Sequence, residues 1–223
     1  KYILKSINLA HKLALNKEIN GFINCPVDKD ILFGSKNIGM TEYLAKKNKL
    51  KNSEVMMIYN KNLAVVPLTT HIPIKSVSKK LNANLIQKKI VSLNKNYYKL
   101  FKKKPLIAIL GLNPHNSEFR KSSEEIKIII PSIKKLRKMK CKVIGPISSD
   151  TAFIKKNKYD VIVGMYHDQV LTPFKTIYNF DAINVTLGLN YIRVSPDHGT
   201  ADNIIGLKKA NPSSLINAID FFS

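Results

Sequence analysis

The chain has 223 residues and a formal net charge of +22, from 37 Lys and Arg against 15 Asp and Glu. Its hydrophobic residues make up 44% of the total and suffice for the core of one large domain or of two small ones. The sequence shows neither a secretory signal nor the run of roughly 20 apolar residues that a membrane span needs. Cys25 and Cys141 are too few for a disulfide scaffold, so we expect a reducing, cytoplasmic location and no membrane partner.

Apolar spacing predicts helices and strands that alternate along the chain. The predicted helices cover residues 2–17, 43–47 with Thr41 as N-cap, 74–81, 86–101, 122–140 with a capping box of Ser122 and Glu125, and 213–222. The predicted strands cover residues 22–25, 55–59, 63–68, 106–110, 141–144, 161–165, 183–188 and 191–194, the second and third of these forming a hairpin. This alternation predicts an α/β fold with a mainly parallel sheet flanked by helices.

The apolar strand at residues 161–165 ends directly before His167 and Asp168. Polar groups that bind or react tend to lie at the carboxyl ends of such strands, where the crossover leaves a crevice. His167 is therefore a candidate site residue. The alternative is an ordinary helix-start histidine whose hydrogen bond is satisfied.

Four of the five histidines, at positions 71, 115, 167 and 198, lie just beyond an apolar strand. Neutral imidazole is the commonest zinc ligand and also suits cobalt, nickel and iron, and a three-histidine set leaves positions open for substrate. His71, His115 and His167 thus form a candidate metal site at one edge of the sheet. The alternative is that they are separate loop histidines.

Seven short runs occur in the order and near the spacing of one enzyme family. They are N-C-P-V-D-K (24–29), T-T-H-I-P (69–73), G-L-N-P-H (111–115), D-T (150–151), M-Y-H-D-Q (165–169), N-V-T-L-G-L (184–189) and D-H-G-T-A (197–201). With these runs the chain resembles 4-hydroxythreonine-4-phosphate dehydrogenase of pyridoxal phosphate biosynthesis across nearly its whole length. The resemblance implies that residues 1–223 form one dehydrogenase catalytic region.

The resemblance also implies an activity: oxidation of a phosphorylated hydroxy-amino acid with NAD, or alternatively NADP, as the acceptor, followed by decarboxylation to 3-amino-2-oxopropyl phosphate. It implies a divalent ion, Zn, Co or Mg, on the three histidines, and a homodimer with the site near the interface. The implied substrate contacts are Thr41, Lys175, Asn184 and Arg193. The catalytic candidates are Asp150, Asp168 and Lys175. The two aspartates would act as acid/base groups or as hydrogen-bond partners of the metal-bound imidazoles, and Lys175 would pair with a charge of the substrate. The alternative for Asp150 is that it serves only as a helix N-cap.

The tail of the chain is similar to the cofactor-binding segment of the related isocitrate and isopropylmalate dehydrogenases, whose type of fold we expect here. It would contact the dinucleotide through His198, Gly199, Thr200, Ala201 and Asn211. This use of the tail is in keeping with the lack of a G-x-G-x-x-G or Walker A sequence.

Three departures from the family pattern affect these expectations. Met40 stands where the family has histidine, and its thioether can neither donate a hydrogen bond to a phosphate nor carry a charge. Residues 116–121 replace a glycine-rich segment, and Val170 replaces a glycine. Roughly the first third of the family's length has no counterpart, so we expect a missing N-terminal part.

Two alternatives to this function stay open. One is a dehydrogenase for another phosphorylated hydroxy acid, of the threonate or erythronate phosphate type. The other is an inactive basic binding protein, because a positive surface attracts nucleic acid. The charge is nearly all lysine spread along the whole chain, with arginine only at Arg120, Arg137 and Arg193. Dedicated nucleic-acid binders cluster their charge and use arginine, so we do not expect a nucleic-acid partner.

Overall fold

Eight strands form one mixed sheet in the computed structural model, which describes residues 2–34, 39–50, 53–154 and 158–223. The strands are β1 (Gly21–Ile23), β2 (Val55–Asn60), β3 (Leu63–Pro67), β4 (Ile107–Leu110), β5 (Val143–Ile147), β6 (Val161–Gly164), β7 (Ile183–Leu187) and β8 (Ile192–Pro196). Their order across the sheet is β1-β8-β7-β2-β3-β6-β4-β5. The predicted α/β class is confirmed.

The sheet has a parallel half and a largely antiparallel half. Strands β3, β6, β4 and β5 run parallel to one another, and every residue of β4 and β6 is buried, as expected for parallel strands covered on both faces. On the other side, β2 pairs antiparallel with both β3 and β7, and β7 pairs antiparallel with β8. The predicted hairpin of β2 and β3 is confirmed. Strand β8 consequently runs opposite to β3, β6 and β4.

Helices cover both faces of the sheet. They are α1 (Tyr2–Leu15), α2 (Lys29–Phe33), α3 (Met40–Lys47), α4 (Val77–Lys80), α5 (Ala83–Phe101), α6 (Ile130–Lys138), α7 (Ser149–Ala152), α8 (His167–Tyr178) and α9 (Ser213–Asp220). Short 3-10 turns occur at Ile74–Ser76 and Asp202–Ile204, a left-handed turn lies within Pro114–Phe119, and one π turn occurs at Glu125–Ile129. Among these helices none is long and apolar enough to cross a membrane.

Side chains alternate between two apolar cores, one on each face of the sheet. On β2, Met57 belongs to the core under α5 and α6, whereas Ile58 belongs to the core under α8. Helix α5 contributes Ile86, Ile90 and Leu93 at the three- and four-residue spacing of a single helix face, all fully buried. Helix α8 contributes Phe174, also fully buried. Helix α8 is therefore fixed against the face of the sheet that carries the polar residues described below.

Three local predictions about helix ends are wrong. Gly39 precedes α3, so Thr41 lies inside that helix, where it is buried. Ser148, and not Asp150, precedes α7. The capping box of Ser122 and Glu125 is absent, since the backbone N–H of Ile126 donates to the hydroxyl of Ser123 at 3.4 Å. Tertiary contacts outweigh the local capping pattern at these positions.

Candidate active site

A cavity of about 730 Å³ lies between α8 and strands β2, β7 and β8. The strand register places its polar residues on one face, because Ile58 pairs with Asn184, Asn184 with Ser195 and Thr186 with Arg193. Helix α8 starts at one end of the cavity with His167 and carries Lys175 about 12 Å further along, at the usual rise per residue. The predicted substrate contacts Thr41, Lys175, Asn184 and Arg193 all line this cavity.

Arg193 is a rigidly held cation in the floor of the cavity. Its side chain is 2% exposed, and it donates from Nε to Asn24 Oδ1 at 2.7 Å and from Nη1 to Thr186 Oγ1 at 3.1 Å. Thr186 Oγ1 in turn lies 3.3 Å from Thr41 Oγ1. Burial lowers the pKa of Arg193 to about 10, so the guanidinium is still charged at neutral pH. A buried cation facing a cavity favours an anionic ligand.

Lys175 is the second cation of the cavity. Its Nζ donates to the backbone carbonyl of Asp197 at 2.9 Å and lies 3.2 Å from Asp197 Oδ2. Burial raises the pKa of the Asp197 carboxyl, and the Lys175 charge opposes that shift. The ammonium is thus held at the end of β8.

His71 and His167 face each other at the other end of the cavity. Their ring centroids are 6.1 Å apart, after the neighbouring parallel strands β3 and β6. His167 Nδ1 lies 2.7 Å from Asp168 Oδ1, and His71 Nδ1 lies 3.8 Å from Glu42 Oε1. Glu42 Oε2 is a buried acceptor without a hydrogen-bond donor among the described residues. The two neighbouring imidazoles are of the ligand type that a divalent cation such as zinc takes.

His115 lies apart from this pair. It follows β4 at the same edge of the sheet, as predicted, but it lines a separate cavity of about 260 Å³ with Asp150, whose Oδ2 is 3.8 Å from His115 Nδ1. The residues from His115 to Phe119 have positive φ, and the His115 side chain is 70% exposed. Hydrogen bonding to Ser148 lowers the pKa of Asp150.

One chain therefore supplies only part of the predicted metal site. Within the described ranges, no group of three or more His, Cys, Asp or Glu side chains lies close enough to hold a metal ion. The residues present fit a metal at His71 and His167 but not with His115 of the same chain, because the left-handed turn carries its ring into the second cavity.

The predicted cofactor residues divide into two groups. His198 and Gly199 line the large cavity beside Asp197, and His198 Nδ1 lies 2.8 Å from the carbonyl oxygen of Gly199. Thr200 and Ala201 are exposed beyond it. Asn211 Oδ1 accepts a hydrogen bond from the backbone N–H of Ser213 at 2.9 Å, at the start of α9. This local hydrogen bond to the turn before α9 accounts for Asn211.

Sequence reasoning missed three functional side chains. Glu42 accepts a hydrogen bond from Thr70 at 2.8 Å beside His71, Asp197 holds Lys175, and Gln169 joins the ends of three strands. Gln169 and Asp197 lie inside runs that carry the family resemblance, and Glu42 directly follows the assigned residue Thr41. Met40 is 6% exposed and lines the cavity beside Thr41.

Comparison with known proteins gives consistent matches. A family model described as "Pyridoxal phosphate biosynthetic protein PdxA" matches residues 1–222. A 4-hydroxythreonine-4-phosphate dehydrogenase of Aquifex aeolicus is 42% identical over 92% of this chain and 65% of its own length. The crystal structure of the Klebsiella pneumoniae enzyme of that name superimposes with a TM-score of 0.83 at 32% identity, covering 97% of this chain and 68% of that one.

A more distant match bears on the fold alone. The isocitrate dehydrogenase of Methylococcus capsulatus superimposes with a TM-score of 0.53 at 11% identity, covering 88% of this chain and 65% of that one. The expected isocitrate dehydrogenase type of fold is confirmed. The chain spans just under two thirds of the length of the Aquifex relative.

Proposed function

Because the chain belongs to the PdxA family of pyridoxal phosphate biosynthetic proteins, we propose that it catalyses the NAD-dependent oxidation and decarboxylation of 4-phosphooxy-L-threonine. The product is 3-amino-2-oxopropyl phosphate. A hydride leaves the carbinol carbon for NAD, and the hydroxyl proton leaves to a base. The bond to the carboxylate then breaks to release carbon dioxide, its electron pair passes to the neighbouring carbonyl as an enolate, and a proton adds to the carbon that carried the carboxylate. We place this activity in the cytoplasm.

The observation that carries the proposal is the pairing of two fixed cations with two imidazoles in one cavity. Arg193 and Lys175 line the same cavity, and each can bind a phosphate or a carboxylate of a small substrate. Thr41 and the unsatisfied, buried Asn184 Oδ1 supply neutral hydrogen-bonding groups between them. Binding at these groups would hold the substrate hydroxyl near the two imidazoles.

The protein's own side chains orient the substrate and exchange protons. Lys175, held by Asp197, binds the phosphate or carboxylate charge of the substrate. Asp168 orients the His167 ring through Nδ1. Asp150 lies beside His115 and is placed to accept or donate a proton there. A divalent ion, Zn, Co or Mg, on His71, His115 and His167 would supply Lewis-acid polarisation of the substrate oxygen.

We propose that the third histidine comes from a second copy of the chain. His115 is exposed in its own cavity, whereas His71 and His167 lie together in the large one. In a two-fold symmetric dimer each exposed His115 reaches a site that its own chain leaves incomplete. This arrangement agrees with the expected homodimer and explains why His115 lies apart from His71 and His167.

The dinucleotide would bind at the Asp197 end of the cavity. His198 and Gly199 line that end, and Thr200 and Ala201 continue the exposed segment. Asn211 contributes through its hydrogen bond with the Ser213 backbone N–H, which fixes the chain between that segment and α9. NAD is the proposed oxidant, with NADP as the alternative.

A second candidate substrate is favoured by Met40. Its buried thioether lines the cavity beside Thr41, where it offers an apolar surface and no hydrogen-bond donor. The loss of a polar group there can alter the choice of substrate, and a threonate or erythronate phosphate is the second candidate.

Comparing initial rates of NADH formation on the two substrates tests the assignment. We expect the full-length protein to turn over 4-phosphooxy-L-threonine with the higher kcat/KM and to release carbon dioxide in step with NADH. Turnover of only the erythronate or threonate phosphate would replace the first assignment by the second.

A further inference from the structure

The segment Gly111–Asn113, which joins β4 to His115, is held on one side by Glu125. Glu125 is fully buried, and its Oε1 accepts from the backbone N–H of Leu112 at 2.8 Å and of Asn113 at 2.9 Å. Its Oε2 accepts from Asn113 Nδ2 at 3.0 Å. Burial raises the pKa of Glu125, but these hydrogen bonds outweigh it and leave the pKa below its ordinary value. The group is therefore a carboxylate held by its donors.

The same segment is held on its other side by Gln169. Gln169 Nε2 donates to the carbonyl oxygen of Gly111 at 2.7 Å and to Ser149 Oγ at 2.7 Å. Its Oε1 accepts from the backbone N–H of Met165 at 2.6 Å. Gln169 lies on α8, two residues after His167, so one side chain connects the end of β6 with the ends of β4 and β5.

The segment is closely packed. A Cβ atom on Gly111 would lie 2.1 Å from Asn116 Oδ1 and 3.1 Å from Glu125 Oε1, so a larger residue there would displace the Asn116 side chain. Asn116 is itself 7% exposed, and its Nδ2 donates to the carbonyl oxygen of Pro146 at 3.4 Å. The exposed His115 ring thus follows a segment that side-chain hydrogen bonds hold on two sides.

We infer that Glu125 and Gln169 are positioning residues of the active site. Glu125 fixes the loop that presents His115, and Gln169 couples that loop to the helix that presents His167. The inference rests on the proposed function, because it concerns how the proposed metal ligands are presented. It assigns a role to a buried carboxylate that contacts neither the large cavity nor its histidines.

Two conservative variants test the inference. Glu125→Gln retains one oxygen for the backbone N–H groups but turns an amide donor toward Asn113 Nδ2. Gln169→Glu removes the donor to the Gly111 carbonyl. For each variant we expect the affinity for Co²⁺ to fall about tenfold or more and kcat to fall with KM little changed. Circular dichroism and thermal unfolding establish the folded fraction.

The matched control is Glu54→Gln. Glu54 is a mostly buried carboxylate that pairs with Lys89 at 3.2 Å and lines neither cavity. This variant should lose stability while its Co²⁺ affinity stays as in the wild type. A purely structural role for Glu125 predicts that the Glu125 and Glu54 variants behave alike.

A ligand-free measurement separates this inference from the proposed function. In NMR spectra of the metal-free protein, Glu125→Gln and Gln169→Glu should each change the chemical shift of the His115 ring and speed hydrogen exchange of the Leu112 and Asn113 amides. The His71 signal should stay in place. If the wild-type protein binds no Co²⁺ and forms no NADH, the proposed function is wrong, but the His115 chemical shift and the amide exchange rates still test the positioning role. Unchanged His115 signals and exchange rates in both variants would overturn the positioning role.

Discussion

Lys175 contacts Asp197 twice, through the backbone carbonyl at 2.9 Å and through the carboxylate at 3.2 Å. The lysine belongs to α8 and the aspartate to the end of β8, so this contact closes the cavity at the end opposite the histidines. It fixes the charge that the proposed substrate requires.

Asp197→Asn keeps the backbone contact with Lys175 but removes the ion pair. Because a hydrogen bond to a charged group contributes about 1.5–3 kcal/mol, we expect kcat/KM to fall by about tenfold to a hundredfold. Steady-state kinetics measure the effect. The control is Lys103→Met, which removes an exposed ion pair with Asp160 and should leave kcat/KM unchanged. Equal effects of the two variants would contradict a specific role for Asp197.

Arg193→Lys should raise KM by about a hundredfold, since an ammonium cannot keep the geometry with Asn24 and Thr186 and also bind the substrate anion. Inhibition by inorganic phosphate should weaken in parallel. Arg120→Lys is the control, because Arg120 pairs with Glu118 on the surface. A wild-type KM in the Arg193 variant would remove Arg193 from the substrate site.

Stability should fall as the pH drops below about 6.5 because of His11. Burial, followed by the charge of Lys47, lowers the pKa of His11, and its Nδ1 lies 2.8 Å from the Tyr191 hydroxyl. The unfolded chain then binds a proton more readily than the folded one, so stability is fully present above the unfolded-state pKa of 6.5 and is lost as the pH falls from there.

Urea unfolding at a series of pH values checks this effect. His11→Gln should unfold with a smaller dependence on pH between 7.5 and 5.5 than the wild type, although it is less stable at the upper value. Parallel pH dependences for the two proteins would show that His11 does not titrate with unfolding.

Mixed dimers test whether His115 acts across subunits. His71→Ala and His115→Ala should each be inactive, but their mixture should recover about a quarter of wild-type activity, because half of the randomly formed dimers carry one intact site of two. The matched control mixes His71→Ala with His167→Ala. That pair should recover nothing, since both histidines belong to the same chain's cavity. Recovery in neither mixture would contradict the shared site.

The sequence predicts those parts of the site that depend on single strands and their ends. The buried run before His167 is strand β6, and His167 begins α8 as its position indicates. Placing His71 and His167 at one sheet edge required only that β3 and β6 be parallel. Lys175 then follows on the same helix.

Other features depend on contacts that local pattern does not encode. Thr41 fits an N-cap by sequence, but its hydroxyl is buried against Thr186 from a distant strand. Glu125 fits a capping box, yet it binds a loop twelve and thirteen residues earlier. His115 lies apart from His71 and His167 because residues 115–119 have left-handed backbone angles. None of the residue types in that segment predicts this conformation. The antiparallel order of β2, β7 and β8 likewise depends on long-range pairing.

The measurement that tests the central claim most directly is NADH formation from 4-phosphooxy-L-threonine by the wild type and by His167→Ala, with Co²⁺ binding followed on the same samples. We predict that the wild type forms NADH and binds the ion, and that the variant loses both by at least about a hundredfold while its circular dichroism and unfolding transition stay unchanged. Full activity in the folded variant would contradict the proposed site.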